Sequence, residues 1–239
     1  MAKSGSIVAY IDCYYGITPG KLLAAILDLG ASAEVIKREM GKLNLPFEME
    51  IIKESGEGLK FTKIKLKSEA KLKPTNINKI LNIINLSSLK PAIKKRITSV
   101  FNKIAIAESR VHKEPVDKVC LFEVGHPLSI LTVTGIMAGI EELKIKEIYA
   151  SALALGTGKV KCSHGILSVP TPATSELTKK IPVLQGRIKG ELTTPLGAAI
   201  ILVLARKFAT FPSMFVEKVG RGCSGEDIRP LTVYLGRKI

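Results

Sequence analysis

The chain contains no tryptophan, and aromatic residues make up only 5% of its 239 positions. Its core must therefore be aliphatic, drawn from a hydrophobic share of 46%, and platforms for stacking bases are scarce. Histidine is rare as well, at three copies, which leaves few ways to build a histidine-based metal centre. The four cysteines (Cys13, Cys120, Cys162 and Cys223) form no C-x-x-C pair. They are expected to be reduced thiols in a cytoplasmic protein rather than a disulfide framework. The apolar run at 197–205 falls short of a bilayer span, which takes about 20 residues, so no membrane partner is expected. "GTGKV" at 156–160 lacks P-loop spacing, and no nucleophile–histidine–acid order marks a hydrolase.

Acidic residues are scarce in one region in particular. Residues 60–103 carry 12 basic groups against 1 acidic, while residues 1–59 carry 6 and 8, and residues 104–239 carry 18 and 12. Most of the net charge of +15 thus sits in a 44-residue stretch. Such a surface attracts phosphates, anionic cofactors, acidic proteins or nucleic acid.

Periodicity suggests an α/β fold (α+β being the other option), with a mixed β-sheet, packed helices and a basic helical lobe at about 70–115. The whole of 1–239 is expected as a single unit. "SIVAYID" (6–12) reads as a buried opening strand, and "PGKLLAAILDLG" (19–30) as a helix stopped by Gly30. A second helix is expected over 31–43. Alternation on both sides of Gly56-Glu57-Gly58 marks a hairpin. Helices follow at 76–85 and 89–112, the second with a bend near Pro91. A short strand is expected at 118–124, an apolar helix at 127–143, and two strands over 146–170 joined at 156–158. Two more helices and a closing pair of strands complete the chain.

One junction recurs. Thr18-Pro19, Thr171-Pro172 and Thr194-Pro195 fall where a strand or hairpin yields to an apolar helix, and His126-Pro127 occupies a fourth such place. Threonine can cap free backbone N–H groups, and proline at the first helical position loses nothing because its N–H would be unpaired anyway. If these helix starts lie together, their N–H groups and positive dipole ends form an anion site. Gly16 and Gly125 nearby would let a ligand approach the backbone closely.

Four stretches together resemble one family: "DCYYGITPGKLLAAILDLG" (12–30), "ESRVHKEPVDKVCLFEVG" (108–125), "LGTGKVKCSHGILSVPTPATSEL" (155–177) and "GELTTPLGAAI" (190–200). It is the nickel-insertion protein of lactate racemase maturation, the LarC type, a pyridinium-3,5-bisthiocarboxylic acid mononucleotide nickel chelatase of the lyase class. The resemblance covers nearly the whole chain and is tightest in the last two stretches. It implies a role in CTP-dependent nickel insertion into that mononucleotide. It also implies that CTP and its divalent metal belong to a C-terminal region, which a separate partner chain would supply.

The chain departs from the family pattern in its acids and imidazoles. The opening Asp-x-x-Ser-Gly-x-Ser-Gly-Asp-Met keeps Asp12 and Gly16 but has Tyr15, Thr18, Pro19 and Gly20 in place of the serines, the second glycine and the second aspartate. His-Phe-His-Glu-Val-Gly becomes "CLFEVG", with Cys120 and Phe122 for the histidines and Glu123 and Gly125 retained. The next two carboxylates are Leu128 and Thr132. His112, Ser129, His164, Glu191, Thr193 and Thr194 also match.

The candidate catalytic residues are therefore Asp12, Glu123 and Glu191. Asp12 ends the first strand and Glu191 precedes a helix start, which is where α/β sites form. Candidate ligand-binding residues are Gly16, Gly125, His164, Thr171, Thr193 and Thr194. Cys120, Cys162 and His164 are a candidate soft nickel set, since thiolate and imidazole suit that metal. Lys21, Lys159 and Lys161 are possible phosphate contacts. The expected partner is the pyridinium mononucleotide or a similar anionic small molecule. The alternative is a diverged, non-catalytic protein that binds an anionic ligand or nucleic acid through the 60–103 patch; nucleic acid is the lesser expectation, since only Phe61 and Phe101 interleave there.

Overall fold

The computed structural model describes residues 5–56, 58–70, 75–163, 165–185 and 188–239. In chain order, β1 (Ile7–Asp12) leads to α1 (Pro19–Asp28) and α2 (Ala33–Gly41), then to the hairpin of β2 (Glu48–Gly56) and β3 (Leu59–Lys67). The helices α3 (Ile77–Leu86), α4 (Pro91–His112) and α5 (Pro127–Glu142) follow. The next stretch holds five short strands: β4 (Glu147–Ala150), β5 (Leu153–Ala154), β6 (Gly156–Thr157), β7 (Lys159–Cys162) and β8 (Gly165–Ser168). After α6 (Pro172–Leu177) come β9 (Val183–Leu184), β10 (Gly190–Glu191), α7 (Pro195–Leu204) and β11 (Lys207–Phe208). The long strands β12 (Met214–Ser224) and β13 (Asp227–Lys238) close the fold.

Seven strands form one mixed sheet in the order β11-β4-β1-β13-β12-β3-β2, as α/β patterning implies. β1 runs parallel to β4 and antiparallel to β13, so the first and last strands are central neighbours. α1 packs on the sheet against β12, β3 and β13, α5 packs on α1 and α2, and the main apolar core reaches from Ala9 and Ile11 of β1 to Phe101 of α4 and Ile200 of α7. Gly222 and Gly220 let β12 approach α1 closely: a Cβ on Gly222 would stand 2.1 Å from the Lys21 carbonyl oxygen. Val8, Tyr10 and Met214 form a second, smaller cluster with Tyr149 and Tyr234.

The helices of the basic stretch share the main core. Ile93, Ile97, Val100, Phe101 and Ile104 of α4 are buried in the main core, and α4 packs against α3, α5, α6 and α7. Pro91 makes no bend; it is the first residue of α4, where its missing N–H is harmless. No strand forms at 118–124. The alternating Val119 and Leu121 are buried in a run of turns, with Leu121 making a single bridge to Thr75. The stretch 146–170 splits into β4 to β8 because Gly156 and Gly158 take positive φ and break any continuous strand.

Candidate functional site

The proline-led helix starts do meet. Pro19 of α1, Ser129 in the first turn of α5, Thr171 and Pro172 of α6, and Thr194 and Pro195 of α7 all line one cavity of about 500 Å³. The remaining wall comes from the end of α4 (Glu108, Val111, His112), the turn before α5 (Glu123, Val124), the β7–β8 hairpin (Val160, Lys161, Cys162, Leu167), and Ala173, Glu191 and Leu196.

Local chemistry explains the convergence. Thr18 accepts the Lys21 N–H at 3.2 Å and Thr194 accepts the Gly197 N–H at 3.1 Å, so each caps its own helix. The Thr194 N–H then donates to the Ile17 carbonyl at 3.2 Å, stitching the start of α7 to the segment that enters α1. No side chain could separate them there, since a Cβ on Gly197 would lie 2.1 Å from the Ile17 oxygen. The α5 start uses histidine in the same way, with His126 Nδ1 accepting the Leu128 N–H at 3.3 Å.

Thr171 behaves differently. It stands at the cap position of α6 but makes no cap hydrogen bond. Its hydroxyl donates instead to Glu191 Oε1 at 2.8 Å and lies 3.1 Å from the Thr174 hydroxyl. Glu191 is carried on β10, opposite Gly156 of β6, whose missing side chain lets the Gly190 carbonyl come close. Burial pushes the Glu191 carboxyl above its ordinary range, the Thr171 hydrogen bond offsets part of this, and the Glu123 carboxylate adds to the rise. Glu123 Oε1 accepts the backbone N–H of Ser163, at the hairpin tip, at 2.7 Å. On α4, His112 Nε2 lies 3.5 Å from Glu108 Oε2, one helical turn away. The cavity is therefore a set of apolar walls with fixed carboxylates, edged by helix starts.

Glu123, Glu191, Thr171, Thr194 and Cys162 thus line one cavity, while Asp12, Gly16, Gly125, Thr193 and Cys120 do not line it. Asp12 accepts the Tyr14 N–H at 3.0 Å in the turn after β1. Gly16, at φ +74°, admits the Leu192 backbone, which a Cβ would meet at 2.2 Å. Gly125 admits the Leu121 carbonyl in the same manner, at 2.3 Å. Thr193 is buried and its hydroxyl donates to the Ala154 carbonyl at 2.7 Å. These four residues shape the walls without lining the cavity. His164 lies outside the described residues. Cys120 does not line the cavity; it lies beside Glu114 and Lys79, its thiol raised by burial and by Glu114 and only partly lowered by Lys79. Among the described residues, no group of three or more His, Cys, Asp or Glu side chains is placed to hold a metal ion. Of the three lysines, Lys161 lines the cavity and Lys159 is exposed on β7. Lys21 is buried, with its ammonium on Asp227 at 2.8 Å and on the Tyr15 carbonyl at 3.1 Å. Glu108 is the acid that motif reading missed; its i,i+4 spacing to His112 was the available signal.

Residues 9–235 match the family model described as Nickel insertion protein. The chain belongs to the nickel insertion protein family. It is 33% identical to the pyridinium-3,5-bisthiocarboxylic acid mononucleotide nickel insertion protein of Desulfitobacterium hafniense, over 92% of this chain and 55% of that protein. Identity to the proteins of the same name from Clostridium kluyveri and Staphylococcus epidermidis is 35% in each case, over 97% and 91% of this chain and 62% and 55% of theirs. The chain spans little more than half the length of these relatives. No solved structure matches it. Among the described residues, no helix is long and apolar enough to cross a membrane. The segments at 155–177 and 190–200, both inside the stretch that the family model matches, supply Val160, Lys161, Cys162, Leu167, Thr171 to Ala173, Glu191 and Thr194 to Leu196 of the wall.

Proposed function

We propose that this chain holds a pyridinium-3,5-bisthiocarboxylic acid mononucleotide in the cavity while nickel is inserted into it. The observation that carries the reading is the convergence of the α1, α5 and α7 starts on one cavity whose wall lies within the stretch that the family model matches. The relatives' names assign nickel insertion into this compound to them. In the proposed complex, the amide groups and positive dipole ends of α1, α5 and α7 favour the anionic groups of the mononucleotide. The apolar walls exclude water from its ring, and Glu123 and Glu191 supply fixed carboxylates there. Cys162 offers a soft ligand at the wall past which nickel, as the substrate metal, would be passed. CTP consumption with a divalent metal, and a separate chain carrying the C-terminal region, are the further expectations of the family resemblance and belong to this proposal.

Calorimetric titration of the purified mononucleotide into the protein tests the reading. Saturable binding near one molecule per chain is expected, with nickel uptake greater once the mononucleotide is present. Absence of mononucleotide binding, with a chain bearing the family's C-terminal region also present, overturns it.

A further inference from the structure

We propose that Glu191 and Glu123 form a receptor for the positive charge of the ligand's pyridinium ring, and so set the specificity of the cavity for an oxidised, cationic ring over a neutral one. The inference rests on the cavity holding a mononucleotide, and adds which part of that ligand meets which residues.

The cavity wall contains no phenylalanine or tyrosine, and the chain has no tryptophan. Among the described residues, a positively charged ring therefore finds no phenylalanine or tyrosine face for a cation–π contact, and anions are left to answer its charge. The aliphatic faces of Val111, Val124, Val160, Leu167 and Leu196 suit a flat ring but do nothing for its charge. Among the described residues, the ionisable groups on the wall are Glu108, His112, Glu123, Lys161, Cys162 and Glu191. Glu108 sits beside His112 on α4. Glu123 and Glu191 are on opposite segments, and both are held in place by donors that belong to the fold.

That fixation is what argues for a ligand. The Ser163 N–H pins Glu123, and the Thr171 hydroxyl, taken from its usual capping task, pins Glu191. Burial and the Glu123 carboxylate both raise the Glu191 carboxyl, so a cation placed against Glu191 favours its ionised form. A metal ion would demand several more ligands around it, and an ammonium several more acceptors. A pyridinium ring demands none: its charge is spread over carbons that the valine and leucine walls can cover, while carboxylates meet its edge. Burial then strengthens the attraction, because water no longer screens it.

The test compares two probes that share every group except ring charge. Nicotinamide mononucleotide carries a pyridinium cation, and its dihydro form carries a neutral ring on the same ribose phosphate. Calorimetry at pH 8 is expected to show the oxidised form binding the protein at least tenfold more tightly, about 1.4 kcal/mol. Glu191→Gln, which keeps an acceptor for Thr171, is expected to reduce that preference to less than threefold while leaving affinity for the dihydro form within threefold of wild type. Equal binding of the two forms by the wild-type protein, or an unchanged preference in a folded Glu191→Gln variant, overturns the ring-charge receptor and leaves the mononucleotide cavity standing. Failure of both probes to bind, together with failure of the pyridinium bisthiocarboxylic acid mononucleotide itself, overturns both. Because the first comparison uses wild-type protein, it stands whether or not the variant folds.

Discussion

Lys21 offers a sharp test, because sequence and structure assign it different work. Its side chain is 2% exposed and its ammonium lies 2.8 Å from Asp227 Oδ2, while Asp227 is 23% exposed. At that distance and an effective dielectric of about 20, the gross attraction is about 6 kcal/mol, most of it offset by desolvation. Breaking such a pair from one side leaves a buried charge unanswered and costs about 3 kcal/mol or more. Asp227→Asn does this to Lys21. Lys21→Met does not do the same to Asp227, which keeps the Arg229 side chain at 2.7 Å and its greater exposure. Its cost is expected near 1 kcal/mol, for the lost bond to the Tyr15 carbonyl. Urea unfolding at pH 7 should thus place Asp227→Asn well below Lys21→Met, with the double variant close to Lys21→Met. Burial alone would raise the Asp227 carboxyl, but hydrogen bonds from Arg229 and Lys21 outweigh it and hold it below its ordinary value. The pair's contribution is therefore present above the unfolded carboxyl pKa, about 3.9, and is lost as pH falls through the lower folded value. Near pH 2 the Asp227→Asn gap should shrink. If Lys21→Met instead leaves stability untouched and abolishes mononucleotide binding, Lys21 is a phosphate contact and the structural assignment fails.

Three further outcomes follow from the geometry. Gly197→Ala places a methyl group 2.1 Å from the Ile17 carbonyl oxygen; it should cost about 1–3 kcal/mol in urea unfolding and weaken mononucleotide binding by pushing the α1 and α7 starts apart. Glu123→Ala removes the acceptor for Ser163 N–H at the β7–β8 tip, so amide hydrogen exchange across 159–168 should quicken while β1 and β13 exchange as before. Glu191 has the opposite pH sign to Asp227: its folded carboxyl is raised, so folding takes up a proton and stability grows as pH falls through the folded value. Glu191→Gln should remove that dependence and make the empty protein more stable at pH 7 by thermal unfolding; an unchanged pH profile would refute the buried-carboxylate description.

What was legible in the sequence was local. The Thr-Pro starts at 18, 171 and 194 were readable because capping and proline rules act within a few residues, and each does begin a helix, although Thr171 turns its hydroxyl to Glu191 instead of capping. The hairpin of β2 and β3 was readable for the same reason. The 118–124 stretch shows the limit: Val119 and Leu121 alternate as in a strand, yet they are buried anchors of a turn, and periodicity cannot separate the two. Long-range pairing was not legible. β1 lies against β13 near the far end of the chain, and Lys21 finds Asp227 206 positions away. The site falls between these cases. Motif resemblance singled out Glu123, Thr171, Glu191 and Thr194, but nothing local tells them apart from Asp12, Gly125 and Thr193, which fold into supporting positions. Their difference arises from backbone approaches at Ile17, Leu121 and Leu192 that only the assembled chain creates.

The central claim is that helix starts scattered from residue 18 to residue 195 form one mononucleotide cavity. Hydrogen–deuterium exchange with and without the pyridinium-3,5-bisthiocarboxylic acid mononucleotide tests it most directly. The account predicts that ligand slows exchange jointly at the α1 and α7 starts, the turn before α5, and the β7–β8 hairpin, with 60–103 unaffected. Slowing confined to 60–103, or to a single helix start, would contradict it.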